Sequence, residues 1–65
     1  MTLDVETLRD AVAMGLGLRA DDIWVVVRDH GALVSVGVRA HGRRYAVPHR
    51  DMDSTLAALR RWLEA

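Results

Sequence analysis

The chain has 65 residues, no cysteine, and nine acidic residues balanced by nine basic ones. This length predicts one small domain over residues 1–65, which the element pattern described below assigns to the α+β class, and the lack of cysteine excludes disulfides, thiol catalysis and cysteine-ligated metals. No apolar run reaches the roughly 18 residues of a membrane span, and the acidic, amphipathic start "MTLDVETLRD" is not typical of a signal peptide. We therefore expect a soluble, cytoplasmic protein that holds no cofactor and no metal.

The first predicted element is an amphipathic helix over residues 3–14. Its apolar residues recur at the three- and four-residue spacing of one helix face: Leu3, Val5, Leu8, Ala11 and Val12. Thr2 is the predicted N-cap, and Gly15 and Gly17 offer left-handed positions at which the helix can end.

Three short segments rich in β-branched residues follow, "IWVVVR" (23–28), "LVSVGVR" (33–39) and "RRYAV" (43–47). A His-Gly pair separates each segment from the next. If each pair forms a two-residue hairpin loop, the strand register follows. It places Val27 opposite Val34, Val25 opposite Val36, Ile23 opposite Val38, Val38 opposite Tyr45, and Val36 opposite Val47. One face of the meander is then wholly apolar or aromatic, and a slip of one residue would scatter this set over both faces.

Pro48 is predicted to end the third strand, and a last helix is predicted over about 53–64 with Asp51 or Asp53 as N-cap. Its buried stripe consists of Leu56, Leu59 and Leu63, with Trp62 beside them. The predicted order is α-β-β-β-α, a three-stranded antiparallel meander with both helices packed on its apolar face.

The opposite sheet face places Trp24 opposite Gly37 and Arg39 opposite Arg44, with Arg28 near the first turn. Two interpretations stay open: Trp24 shields the Gly37 backbone while the arginines are solvated, or the face is a binding surface, since Trp and Arg are enriched at interface hot spots. On the second interpretation the partner-binding residues are Trp24, Arg39 and Arg44, flanked by Arg28 and Arg43. A packing with one helix on each face would bury Trp24 and remove this surface.

Residues 38–51 hold two histidines and four arginines. His30 and His41 are predicted turn residues at opposite ends of the second strand, about 30 Å apart, and cannot share a metal. His49, beside Arg50 at a helix start, is either an anion ligand or a solvated strand-end residue; Asp51 and Asp53 would repel a phosphate. Asp21 and Asp22 are expected to be solvated loop residues. No catalytic triad, carboxylate pair or phosphate-binding loop is present, so no catalytic residue is predicted.

The landmarks "VVVRDHGAL", "GRRYAVPH" and "STLAALRRWL" resemble those of HicA-type toxins, small ribonucleases that share the α-β-β-β-α order with double-stranded-RNA-binding domains. The resemblance implies this fold and a nucleic-acid partner. The family's catalytic histidine would follow Gly31, where this chain has Ala32 and Leu33. The lysine-rich helix start of double-stranded-RNA-binding domains is replaced by "DMDSTLAALRRW". The resemblance therefore implies the fold more than the activity.

We expect a non-catalytic module that binds a protein or protein complex through the Trp24 face, in the manner of a phage or mobile-element inhibitor of a host defence complex (anti-CRISPR-like). All nine basic residues are arginine, which suggests a GC-rich bacterial or phage genome. The alternative is a nucleic-acid-binding protein or HicA-like toxin–antitoxin component that uses Arg43, Arg44, His49 and Arg50. A third possibility is self-association as a homodimer.

Overall fold

Two helices and a three-stranded antiparallel sheet make up the fold, in the order α-β-β-β-α. The computed structural model describes residues 4–65. Its elements are α1 (Val5–Leu16), β1 (Ile23–Arg28), β2 (Leu33–Ala40), β3 (Arg43–Pro48) and α2 (Met52–Glu64). The strands lie side by side in the order β1-β2-β3. The predicted fold class and element order are confirmed.

Helix α1 begins and ends two residues later than the sequence pattern predicts. Asp4 is its N-cap, and the Asp4 carboxylate accepts hydrogen bonds from the Glu6 and Thr7 main-chain N–H groups and from the Thr7 hydroxyl. Thr2, the predicted cap, lies outside the described residues. At the other end Gly17 adopts φ 70° as the C-cap, which places Gly15 inside the helix. Because a short carboxylate at this position satisfies the first free N–H groups, the helix starts directly after Asp4.

The strand register is the predicted one. Trp24 lies opposite Gly37, Val25 opposite Val36, and Val27 opposite Val34 across β1 and β2; Val36 lies opposite Val47, Val38 opposite Tyr45, and Arg39 opposite Arg44 across β2 and β3. The second hairpin has the predicted two-residue loop, closed by Ala40 and Arg43. His41 and Gly42 both adopt positive φ, at 55° and 73°. Two consecutive residues with positive φ form the type of turn that matches the twist of a hairpin.

The first hairpin differs from its prediction in the length of its loop. Strand pairing stops at Arg28 and Leu33, so the loop has four residues, 29–32, rather than the two of the His-Gly pair. Asp29, His30 and Gly31 all adopt positive φ. The Ala32 N–H donates to the Asp29 carbonyl over 3.0 Å. Since the loop is longer by one residue on each strand, the register is unchanged.

Both helices pack on one face of the sheet, as predicted. Val12 of α1, Leu59 of α2, and Val36 and Val38 of β2 are fully buried together. Helix α1 lies against β1, helix α2 lies against β3, and the helices contact each other. This arrangement leaves the other face of the sheet uncovered by the described residues.

Helix α2 begins at Met52 because Asp51 caps it. The Ser54 main-chain N–H donates to the Asp51 carboxylate over 2.8 Å, which lowers the pKa of that carboxyl group, and the nearby His49 lowers it further. Leu59 is fully buried, while Leu56, Trp62 and Leu63 are half-buried. The two caps at Asp4 and Asp51 thus determine where the helices begin.

Candidate functional site: the outer face of the sheet

We call the uncovered side of the sheet the outer face. The register assigns to it the alternate side chains that point away from the helices: Trp24, Val26, Arg28, Leu33, Ser35, Gly37, Arg39, Arg44, Ala46 and Pro48. Four of the five predicted partner-binding residues belong to this set, and Arg43 does not.

Trp24 lies over Gly37 at the centre of the outer face. A Cβ atom on residue 37 would overlap the indole ring at Cε2 and Cζ2, so only glycine fits beneath the ring. Gly37 is buried and Trp24 is half-buried. The predicted shielding of the Gly37 backbone is therefore present, while part of the indole remains accessible to a partner.

An open concavity of about 390 Å³ lies beside Trp24. Its walls come from all three strands: Trp24, Val26, Arg28, Leu33, Val34, Ser35 and Ala46. Leu33 is 57% exposed, a large value for a leucine within a strand. The outer face between Trp24 and the first hairpin is thus concave and mostly apolar, and Arg28 provides a cation in its wall.

At the opposite end of the outer face, Arg39 is held in an ion pair. Its Nη2 donates to Asp22 Oδ1 over 3.2 Å. Asp22 was predicted to be a solvated loop residue, but the short turn Ala20–Asp22 before β1 brings its carboxylate to the second strand. The pair relieves the repulsion expected between Arg39 and Arg44. Among the described residues Arg28 and Arg44 take part in no ion pair, so their charges remain available to a partner.

Arg43 lies on the helix-covered side of the sheet. Its guanidinium Cζ is 5.9 Å from the ring centroid of Trp62, and Trp62 stacks on Tyr45 with ring centroids 5.4 Å apart and an interplanar angle of 8°. The structure does not bring Arg43 to Trp24. The stack is not predicted from the sequence, although Tyr45 and Trp62 are both expected on the side on which strand and helix meet.

His49 joins the exit of β3 to the start of α2. Its main-chain N–H donates to the Val34 carbonyl over 2.8 Å, and its Nδ1 lies 2.8 Å from the hydroxyl of Thr55, which is 1% exposed. The imidazole is half-buried rather than solvated, and Arg50 beside it is exposed. The residues of the nucleic-acid alternative are thus divided: Arg44 lies on the outer face, Arg43 on the opposite side, and His49 in a structural hydrogen bond.

Comparisons of the chain with models of protein families, with curated proteins and with solved structures gave no match. Within residues 4–65 no three His, Asp or Glu side chains are grouped closely enough to hold a metal ion. No helix in the same range has the length and apolar character needed to cross a membrane. Functional inference therefore rests on the geometry and charge of the outer face.

Proposed function

We propose that this chain is a non-catalytic protein-binding module and that the outer face is its contact surface. The observation that supports it most is the accessible apolar patch of Trp24 and Leu33, which both line the concavity. Tryptophan in a well-packed position is a frequent hot spot of protein interfaces. Its packing on Gly37 also holds the indole in place before a partner arrives, which lowers the entropy cost of binding.

The charges of the outer face favour a partner with acidic groups around an apolar contact. Arg28 lies at one end of the face and Arg44 at the other, and both are exposed. The face itself contains no carboxylate, and the nearby Asp22 is occupied by Arg39. Complementary charges at the rim of an interface raise the association rate and select the partner.

The biological role that we propose to test first is inhibition of a larger protein complex. One example is a phage-encoded or mobile-element inhibitor of a host defence complex. The small size of the chain and the lack of a predicted catalytic set support this proposal. Such an inhibitor acts by occupying a surface, and the outer face offers one.

The experiment compares protein capture by the immobilised wild-type chain and by Trp24→Ser and Leu33→Ser. Met14→Ser is the matched control, because Met14 is 84% exposed on α1 and lies outside the outer face. Circular dichroism establishes that each variant is folded. We expect the captured protein, once purified, to bind the wild type and Met14→Ser equally and both outer-face variants at least tenfold more weakly.

Added salt separates a protein partner from nucleic acid. Binding through an apolar patch with two arginines at its ends should weaken only modestly with salt, whereas binding to many phosphates weakens steeply. Equal affinity of all four proteins for the partner would overturn the proposal. RNA binding that falls steeply with salt and is lost on Arg43→Ala, or RNA cleavage that is lost on His49→Ala, would favour the alternative.

A further inference from the structure

Strand β3 is the most exposed strand of the sheet. Five of its six residues are exposed and only Val47 is buried, whereas most residues of β1 and β2 are buried or half-buried. Tyr45 is 38% exposed although it lies on the helix-covered side. Since the strand order is β1-β2-β3, one edge of β3 has no neighbouring strand among residues 4–65. Such an edge can accept a further strand.

The hydrogen-bond pattern identifies the main-chain groups on this edge. The His49 N–H donates to the Val34 carbonyl, so the odd-numbered residues of β3 bond to β2. The even-numbered residues Arg44 and Ala46 therefore direct their N–H and C=O groups to the free edge. Pro48 fits the same alternation, because its nitrogen carries no hydrogen and also faces away from β2. Arg44 and Ala46 thus offer both donors and acceptors to an added strand.

The charge of this edge selects the kind of strand that it can bind. Arg43 lies on the helix-covered side and Arg44 on the outer face, so each side of an added strand meets one guanidinium group. Within residues 4–65 neither arginine takes part in an ion pair. Arginine on a sheet edge discourages pairing with neutral or basic strands, whereas opposite charges on paired strands attract each other. An acidic strand is therefore the complementary occupant.

A second copy of the chain supplies no such strand. None of its three strands contains Asp or Glu, and each of them carries arginine. Pairing with any of them would leave Arg43 and Arg44 without an opposite charge. The charges therefore favour a segment of another protein.

Tyr45 adds an apolar contact beside the two arginines. Its ring stacks on Trp62 with ring centroids 5.4 Å apart, which holds the ring in place next to the edge. A side chain opposite Tyr45 on an added strand would cover the exposed part of this ring. Because the ring is ordered before binding, less conformational entropy is lost when a partner covers it.

We propose that the free edge of β3 binds an extended acidic segment of another protein by strand addition. In this mode main-chain hydrogen bonds, here to Arg44 and Ala46, provide affinity, and alternate side chains provide specificity. Antiparallel pairing is the more stable arrangement per residue. It places an apolar residue of the segment opposite Tyr45, followed by two acidic residues opposite Arg44 and Arg43. This site goes beyond the proposed function, because the outer face can bind a partner without it.

Nuclear magnetic resonance with the peptide acetyl-Val-Thr-Val-Glu-Glu-amide tests the proposal. In the proposed register the peptide Thr lies opposite Ala46, and the first Glu lies opposite Arg44. In the free chain the amide hydrogens of Arg44 and Ala46 should exchange quickly with solvent, while those of Tyr45 and Val47 exchange slowly. The peptide should bind with a Kd of about 1 mM or lower. At saturation it should slow the exchange at Arg44 and Ala46 at least fivefold.

Two control peptides separate strand pairing from simple charge attraction. In acetyl-Val-Pro-Val-Glu-Glu-amide the charge is kept, but the N–H group that would donate to the Ala46 carbonyl is lost. In acetyl-Val-Thr-Val-Lys-Lys-amide the N–H group is kept and the charge is reversed. Each control should bind at least fivefold more weakly than the parent peptide.

Arg43→Glu tests the register. It should weaken binding of the parent peptide at least threefold and should favour acetyl-Val-Thr-Val-Glu-Lys-amide, whose Lys then lies opposite residue 43. Arg19→Glu is the matched control, since it makes the same charge change at an exposed position before β1, at the other edge of the sheet. This control should bind the parent peptide as the wild type does. Circular dichroism establishes that both variants are folded.

Trp24→Ser keeps this test distinct from that of the proposed function. Trp24 lies on β1 and on the outer face, away from the free edge of β3. Trp24→Ser should therefore bind the parent peptide as the wild type does, even though it is expected to lose the partner of the outer face.

Four results would overturn the proposal. The first is slow amide exchange at Arg44 and Ala46 in the free chain. The second is the absence of saturable binding of the parent peptide at several millimolar. The third is equal binding of the parent peptide and either control peptide. The fourth is an Arg43→Glu variant with the same peptide preference as the wild type.

Discussion

The two faces of the sheet are made from the same strands but have opposite environments. On β2, Val36 and Val38 are fully buried beneath the helices, whereas Leu33, on the other side of the same strand, is 57% exposed. The buried cluster beneath the helices is aliphatic, and the outer face has one indole, two aliphatic residues, several small residues and arginines. On the proposed function, alternate residues of one strand serve stability and recognition separately, so the two can be perturbed separately.

Truncating the core of the helix-covered face should have the largest effect. Leu59 is fully buried between α2 and the sheet, and Leu59→Ala removes its contacts and leaves a cavity. We expect the free energy of unfolding to fall by about 2–5 kcal/mol, measured by urea denaturation. For a chain this small that loss approaches the whole stability. A loss below about 1 kcal/mol would contradict the placement of Leu59 in the core.

On the proposed function, Gly37 is a position of the outer face at which stability and recognition meet. Gly37→Ala forces the Trp24 ring off the backbone, because the new Cβ overlaps the indole. We expect a loss of about 1–3 kcal/mol and a shift of the Trp24 indole N–H resonance in NMR spectra. Ser35→Ala, on the same strand and face, is the control and should do neither. An unchanged indole resonance in Gly37→Ala would mean that the ring does not rest on residue 37.

The junction between β3 and α2 should show a smaller effect. Thr55→Val removes the hydroxyl that His49 Nδ1 contacts and leaves a half-buried nitrogen without its partner. The expected loss is about 1 kcal/mol in urea denaturation. Thr55→Ser keeps the hydroxyl and should preserve the hydrogen bond, at the cost of one methyl group. If Thr55→Val were as stable as the wild type, the hydrogen bond would contribute nothing.

The N-cap of α2 should give the chain part of its acid sensitivity. Hydrogen bonds from the Ser54 main-chain N–H and from the Ser54 side chain hold the pKa of Asp51 below its ordinary value. A lowered folded-state pKa adds stability that is fully present above the unfolded value, about 3.9, and is lost as the pH falls through the folded value. Asp51→Asn keeps a cap acceptor but does not titrate. The melting temperature of Asp51→Asn should therefore fall less than that of the wild type as the pH drops below about 4. An equal fall in the melting temperatures of the two proteins would contradict this.

The sequence predicted the sheet well because strand side chains alternate strictly between two faces. With Val25, Val36 and Val38 assigned to one face, the remaining pairs followed, and the first loop could lengthen from two to four residues without changing them. The pair between Asp22 and Arg39 was not predictable in this way, since it depends on how the turn Ala20–Asp22 orients a side chain. The contact between His49 and Thr55 was not predictable either, since it depends on how the chain turns from β3 into α2. The outer face as a whole was predictable, but the state of each charge on it was not.

The most direct test of the division between the two faces measures stability and binding in one variant. In Leu33→Ser an exposed leucine of the outer face is shortened, whereas no core contact of the helix-covered face is touched. Calorimetric titration with the purified partner should give a Kd at least tenfold higher than that of the wild type. The melting temperature of the variant should stay within about 2 °C of the wild-type value. An unchanged Kd, or a higher Kd accompanied by a large fall in melting temperature, would contradict the assignment of recognition to the outer face.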